Sequence, residues 1–293
     1  EHRAYRHSFD MLGEAALTTA DAERYYDAYA NAIDRIGAEV KGSGLDVFSA
    51  PGISVKLSAL HPRYEFAQRE RVLRELVPGL QGLARRARHH GIALTIDAEE
   101  AERLDLSLDV FEGVYADADL QGWEGLGMVV QAYQKRAPFV IDWLQQLARD
   151  HGRRIPVRLV KGAYWDTEIK RAQVEGLPGF PVFTGKSATD VSYIANARKL
   201  LSMTDRIYPQ FATHNAHTVA AVLDTVIGAC SAPIARGAML HGVVRAVPAA
   251  LTACRAVLDT VPVQVLEQLE QAVGVGTKRG GPGQFQGGVG GVD

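Results

Sequence analysis

The sequence predicts an α/β fold in which short apolar strands alternate with helices. Five strand–helix units follow one another between residues 53 and 227, and this alternation is typical of a parallel sheet with crossover helices. The strands are continuous apolar runs, as expected of strands covered on both faces. The 293 residues exceed the roughly 250 that a (β/α)8 barrel needs. A barrel and a doubly wound sheet both fit this pattern.

A helical segment is predicted over residues 1–44, ahead of the first unit. Thr18 and Asp21 have the spacing of a capping box, which marks a helix start. Large side chains then recur at near-helical intervals, at Tyr25, Tyr26, Tyr29, Ile33 and Ile36. The run Lys41-Gly42-Ser43-Gly44 ends this segment.

The five units follow in order. The predicted strands are 53–57, 92–96, 128–130, 156–160 and 207–211. The predicted helices are 70–88, 100–115, 138–150, 188–202 and 216–227. Pro78 predicts a kink in the first of these helices, and Pro138 suits the first turn of the third. The connection 162–187 has no predicted helix, and loops of that length in compact domains are usually functional.

The pattern weakens after about residue 228. Residues 239–244 could form a strand and 246–273 a helix, but no sixth to eighth unit is evident. The glycine-dominated residues 274–293 predict a disordered tail. We therefore expect a helical segment at 1–44, a barrel-like domain at 45–273 with atypical or incomplete C-terminal units, and a tail.

Composition excludes several classes of protein. Lys and Arg number 32 against 34 Asp and Glu, giving a net charge of −2, so no nucleic-acid partner is expected. No apolar run reaches the ~18 residues of a membrane-spanning helix. Cys230 and Cys254 favour free thiols in a reducing cytosol over a disulfide framework. The start Glu1-His2-Arg3-Ala4 has neither an initiating Met nor a signal core, which suggests a piece of a longer chain.

All five predicted strands hold polar residues or run into them at the carboxyl end, the end that faces the site in parallel α/β folds. They include Lys56, Asp97, Gln131, Arg158, Lys161, Thr213, His214 and Asn215. Each has an ordinary alternative: Asp97 as a helix cap, Gln131 as a link between strand ends, Lys56 or Arg158 as half of an ion pair. His214 and His217 lack an evident third metal ligand, so no metal site is predicted. Because all five strands place polar groups at the same edge of the sheet, we expect a ligand site there.

Six segments resemble, in family order, the proline dehydrogenase domain of bacterial proline utilization A. They are YRHSFDMLGEAAL (5–17), VKLSALHPRY (55–64), TIDAEE (95–100), VQAYQKR (130–136), VRLVKGAYWD (157–166) and YPQFATHNAH (208–217). The resemblance implies a distorted (β/α)8 TIM-type barrel after N-terminal helices, holding FAD non-covalently. It implies oxidation of L-proline to 1-pyrroline-5-carboxylate by hydride transfer to flavin, with electrons passed to membrane quinone. A cytoplasmic protein that can touch the inner face of the membrane peripherally is expected.

The resemblance also assigns residues. Contacts to FAD would come from Gln131, Arg158, Lys161, Gly162, Ala163, Tyr164, Trp165, Thr213, His214 and Asn215. Lys56 and Asp97 would lie close to proline or the flavin ring, and Tyr164 would line the substrate pocket. With Arg158, whose guanidinium could stabilise a reduced flavin, these form the expected catalytic set. Hydride transfer needs no protein nucleophile, in keeping with the lack of a Ser–His–Asp pattern.

The sequence departs from the family at two places. Gly185 and Ala188 stand where the family commonly has Arg and His, which would weaken the grip on the cofactor. After Thr225 the family's Leu-His-Gly-Met-Gly and Tyr-Ala-Pro-Val-Gly strands are missing, and so is a final Arg-Arg pair that clamps the substrate carboxylate. Residues 240–242 (LHG) are only a short echo.

Two alternatives follow. The first is an inactive or truncated barrel remnant that lacks the carboxylate clamp. The second is a Schiff-base aldolase that uses Lys56 or Lys161.

Overall fold

The computed structural model describes residues 7–11 and 15–230, with side chains up to residue 226. Within this part, six parallel strands form one sheet in sequential order. They are β1 (Ser8–Asp10), β2 (Gly52–Val55), β3 (Ala93–Ile96), β4 (Leu126–Gln131), β5 (Ile155–Val160) and β6 (Ile207–Phe211). A doubly wound sheet reverses its strand order part-way, whereas a barrel keeps it sequential. The predicted α/β class is confirmed, and the sequential order of the described strands is that of a barrel.

Contacts across the sheet show that it is curled. Arg158 on β5 donates hydrogen bonds to Ser54 Oγ on β2 and to Ser8 Oγ on β1, both at 2.9 Å. Strands spaced ~4.8 Å apart would place β2 and β5 roughly 14 Å apart in a flat sheet, beyond the reach of an arginine. Phe48, which precedes β2, also stacks on Tyr208 of β6 at 4.3 Å.

Eight helices accompany these strands in the described residues. They are α1 (Thr19–Val40), α2 (Leu57–Leu60), α3 (Arg69–His90), α4 (Leu104–Tyr115), α5 (Ala137–Asp150), α6 (Trp165–Val174), α7 (Lys186–Leu201) and α8 (Ala216–Cys230). Apolar side chains alternate along the strands and are fully buried in the core, as with Val55, Ile96 and Val157. The intervening positions carry Ser54, Thr95 and other polar residues on the inner face. The outer face of the sheet therefore supplies the hydrophobic core, and the inner face supplies polar groups.

Local signals explain where the first helices begin and end. The predicted capping box is confirmed: Thr18 Oγ1 accepts from the Asp21 N–H at 3.1 Å, and Asp21 Oδ2 accepts from the Thr18 N–H at 3.0 Å. Helix α3 runs through Pro78 without a break and ends at Gly91, whose φ of 68° suits glycine.

Two predictions are wrong. Residues 8–10 lie inside the segment predicted as helical, yet they form β1 by pairing with β2. Three alternating residues are too few to predict a strand on their own. The connection 162–187 was expected to lack a helix but contains α6. Within α6, only Glu168 and Ala172 are buried, so the helix has no apolar stripe from which it could be predicted. The predictions for 239–244, 246–273 and 274–293 lie outside the described residues.

Candidate active site

An open cavity of about 710 Å³ lies at the carboxyl ends of the strands. The residues that line it include eleven of the twelve expected at the site. They are Lys56, Asp97, Gln131, Arg158, Lys161, Gly162, Ala163, Tyr164, Thr213, His214 and Asn215. Apolar positions such as Val129 and Val160 complete the wall. The fold therefore brings residues from five successive strands into one place.

A chain of alternating charges lies in this cavity. Lys56 Nζ is 3.2 Å from an oxygen of Asp10 and 3.2 Å from Oδ2 of Asp97, and Arg158 Nη1 is 3.8 Å from Oδ1 of Asp97. Burial alone would lower the pKa of Lys56, but the two carboxylates outweigh it and raise the pKa above its usual value. Burial raises the pKa of Asp97, with Lys56 partly opposing it. Lys56 thus stays a cation, and a protonated amine is a poor Schiff-base nucleophile.

Several residues that contact Lys56 or Arg158 were not predicted from the sequence. Asp10 and Ser8 lie on β1, the strand that was not predicted, and Ser54 lies on β2. Ser8 and Ser54 hold the guanidinium of Arg158. The Tyr29 hydroxyl accepts a hydrogen bond from the Lys56 backbone N–H at 3.2 Å. The available signal was the alternation of polar residues in Ser8-Phe9-Asp10.

Gln131 joins two neighbouring strand ends. Its Oε1 accepts from the Ala163 N–H at 3.1 Å, and its Nε2 donates to the Glu99 carbonyl at 2.8 Å. The side chain therefore fixes the backbone of the cavity wall after β5 against the connection after β3.

Gly162 occupies a position that no other residue fits. Its φ is 144°, and a Cβ there would lie 2.4 Å from the Tyr133 ring. The Tyr133 hydroxyl in turn accepts from the Tyr164 N–H at 3.4 Å. Next to it, Lys161 Nζ pairs with Asp190 of α7 at 2.5 Å, and Lys186 pairs with the same carboxylate at 2.6 Å.

The remaining expected residues differ in placement. Trp165 is outside the cavity lining: it begins α6, and its Nε1 donates to the Phe183 carbonyl at 3.0 Å. Asn215 Oδ1 accepts from the Thr218 N–H at 2.9 Å and caps α8. Thr213 Oγ1 accepts from the Asn215 N–H at 3.1 Å, and His214 is exposed. Within residues 7–11 and 15–230, no cluster of three or more His, Cys, Asp or Glu side chains could hold a metal ion.

Comparison with known proteins shows the family of the chain. A family model described as Proline dehydrogenase matches residues 1–269. The chain belongs to the proline dehydrogenase family. It is 58% identical over 222 residues to the bifunctional protein PutA of Klebsiella aerogenes and 56% identical over 223 residues to that of Rhizobium meliloti. Each alignment covers 76% of the chain. The resemblance inferred from the six segments is confirmed.

Solved structures give the same family. A crystal structure of Bradyrhizobium japonicum proline utilization A superimposes with a TM-score of 0.74 at 60% identity, covering 76% of the chain and 23% of that protein. Proline utilization A from Bdellovibrio bacteriovorus, inactivated by N-propargylglycine, gives a TM-score of 0.71 at 28% identity over 76% of the chain and 24% of that protein. The chain spans only 17% of the Klebsiella relative and 18% of the Rhizobium one. None of the described helices has the length and apolar character needed to cross a membrane.

Proposed function

We propose that this chain oxidises L-proline to 1-pyrroline-5-carboxylate, with FAD bound non-covalently in the cavity. Bound FAD would supply the hydride acceptor. The observation that carries the proposal is the convergence of Lys56, Asp97 and Arg158 at one cavity in a member of the proline dehydrogenase family.

The cavity suits a large, flat, anionic cofactor. Its volume of about 710 Å³ falls within the roughly 300–1,000 Å³ of small-molecule sites. Val129 and Val160 offer apolar surface for a ring system, while Lys161 and Arg158 offer positive charge for anionic groups. Gly162 lets the Tyr133 ring pack directly against the backbone of the cavity wall, which fixes that wall beside the cofactor. We propose that Gln131, Ala163, Tyr164, Thr213, His214 and Asn215 complete the cofactor contacts. Trp165 would contribute from α6 at the margin of the cavity.

Arg158 and Lys56 would act through fixed positive charge. An arginine guanidinium is a permanent cation, and that of Arg158 is held by two serine hydroxyls. It therefore needs little reorganisation to favour negative charge developing beside it. Lys56 is held between Asp10 and Asp97. There it would lie close to proline or the flavin ring, while Tyr164 would line the substrate pocket.

The partners are proposed from the family. We propose membrane quinone as the final electron acceptor and a cytoplasmic location, with peripheral contact on the inner face of the bacterial membrane. The second candidate, an inactive remnant, is favoured by the missing Arg-Arg clamp after Thr225. The aldolase alternative now depends on Lys161, because Lys56 is held protonated. Borohydride trapping of a carbonyl substrate on Lys161 would support it.

Anaerobic spectroscopy of the FAD-reconstituted chain tests the proposal. We expect bound FAD, and we expect L-proline but not D-proline to bleach its absorbance. Bound flavin that L-proline leaves oxidised would support the inactive remnant. A chain that binds no FAD would contradict the proposed site itself.

A further inference from the structure

Helix α6 leaves the barrel after β5 and is tied to the two preceding connections. After the helix, the Phe183 N–H donates to the Tyr133 carbonyl at 2.8 Å, which fixes the return segment to the connection after β4. On the helix itself, Arg171 forms an ion pair with Glu102 in the connection after β3. Glu168 makes the second tie to that connection, and it is the buried one.

Glu168 is an unusual residue to bury on a mostly exposed helix. Its side chain is only 4% exposed, and its Oε1 accepts from the Ala101 backbone N–H at 2.6 Å. The carbonyl of the same residue is also held, because Arg136 Nη2 donates to Ala101 O at 3.0 Å. A buried carboxyl group is unfavourable unless it is hydrogen-bonded. The bond to Ala101 is therefore needed for Glu168 to be buried at this position.

The position of this bond in the chain gives it a consequence. Ala101 follows Asp97 by four residues, and Glu168 follows Tyr164 by four residues. Asp97 and Tyr164 both line the cavity. One hydrogen bond therefore joins the connection that follows Asp97 to the helix that begins directly after Tyr164.

We propose that Glu168 is a positioning residue that holds Tyr164 in register with Asp97 across the cavity. This inference rests on the proposed function for its kinetic consequence. The role requires an acceptor oxygen rather than a charge. Burial raises the pKa of Glu168, with the hydrogen bond from the Ala101 N–H partly opposing it and the nearby Glu100 and Glu102 raising it further. A glutamine, which offers the same oxygen without the charge, should replace it.

Three variants of the full FAD-reconstituted chain test the role. Glu168→Ala removes the acceptor, and we expect kcat/KM for L-proline to fall about 10-fold or more, mainly through KM, since small misplacements of positioning groups have effects of that size. Glu168→Gln should stay within about twofold of the original chain. Glu175→Ala, at the exposed C-terminal end of the same helix, is the matched control and should leave kinetics unchanged.

Hydrogen–deuterium exchange provides a readout that does not depend on activity. Glu168→Ala should speed exchange in segments 98–104 and 161–170, while Glu168→Gln should not. Normal kinetics per bound flavin in Glu168→Ala would overturn the inference, since a purely structural role predicts lower stability with intact kinetics. If Glu168→Ala does not fold, loss of protection or of kcat/KM in Glu168→Gln would overturn it. If the original chain is not reduced by proline, the proposed function fails, and the exchange data still decide whether the tie exists.

Discussion

The two ends of the strands differ in what their polar groups do. At the carboxyl ends, Lys56, Asp97 and Arg158 face an open cavity. At the amino ends, polar groups bind other groups of the protein. Arg153, for example, is 3% exposed and donates to the carbonyls of Leu120, Trp123 and Tyr115.

Aromatic rings close the amino end further. Arg154 lies over the Phe48 ring at 4.5 Å and pairs with Glu124 at 2.8 Å, while Phe48 stacks on Tyr208. The comparison teaches that one end of the sheet holds the chain together and the other is available for chemistry, the division expected of parallel barrels. Substitutions at the two ends should therefore separate stability from activity.

Arg158→Met should produce the largest effect. Removing one preorganised charge should lower kcat/KM for L-proline by about 100- to 1,000-fold, with little change in the unfolding midpoint. Steady-state kinetics with a soluble quinone measure it. Arg154→Met, at the other end of β5, is the control and should keep its kcat/KM. Equal losses of kcat/KM in the two variants would contradict a functional difference between the two ends of the strands.

Arg153→Met should show the opposite profile. The substitution leaves carbonyls of the Tyr115–Trp123 segment without their donor, and we expect about 3 kcal/mol of lost stability. Urea unfolding of the original chain and the variant measures the difference. The folded fraction should retain normal flavin reduction. A variant as stable as the original chain would show that the amino end is not the structural end.

Gly162→Ala should damage the cavity wall. The Cβ would meet the Tyr133 ring, and the φ of 144° is unfavourable for alanine, so we expect FAD affinity to fall along with roughly 2 kcal/mol of stability. Flavin fluorescence titration measures the affinity. Gly179→Ala, which has open space around it, should change neither property. A Gly162→Ala chain that binds FAD normally would contradict the described wall.

Thr18→Ala should lower stability without affecting activity, although Thr18 lies in the connection that follows β1 at its carboxyl end. The capping box of α1 is exposed, and its loss should lower stability by about 1 kcal/mol while kcat/KM stays unchanged. Urea unfolding and kinetics together test this, with Thr19→Ala as the control. A clear kinetic defect would mean that α1 contributes to the cavity.

The smallest expected effect is the pH dependence of the same cap. Hydrogen bonds from Arg24 and Thr18 lower the pKa of Asp21 from 3.8 to about 2. A depressed folded-state pKa gives stability that is present above pH 3.8 and lost as the pH falls through about 2. The difference in stability between Asp21→Asn and the original chain should therefore shrink across that range. A constant difference would argue against the capping carboxylate.

Two kinds of feature could be predicted from the sequence: elements with a periodic apolar pattern, and residues at the carboxyl ends of strands. The outer strand faces and long helices follow from apolar periodicity, and Lys56, Asp97 and Arg158 follow from the strand-end rule. Asp10 could not be found that way, because β1 has only three residues and its pairing partner is far along the chain. Arg153 escaped for another reason: its carbonyl partners are set by tertiary structure, which leaves no local pattern.

Hydrogen–deuterium exchange with and without FAD tests the central claim, that the carboxyl ends of the strands form the cofactor site. We expect FAD to slow exchange in segments 158–165 and 211–216 and to leave segments 121–126 and 152–155 unchanged. Protection confined to the amino-end segments, or spread equally over both ends, would contradict the account.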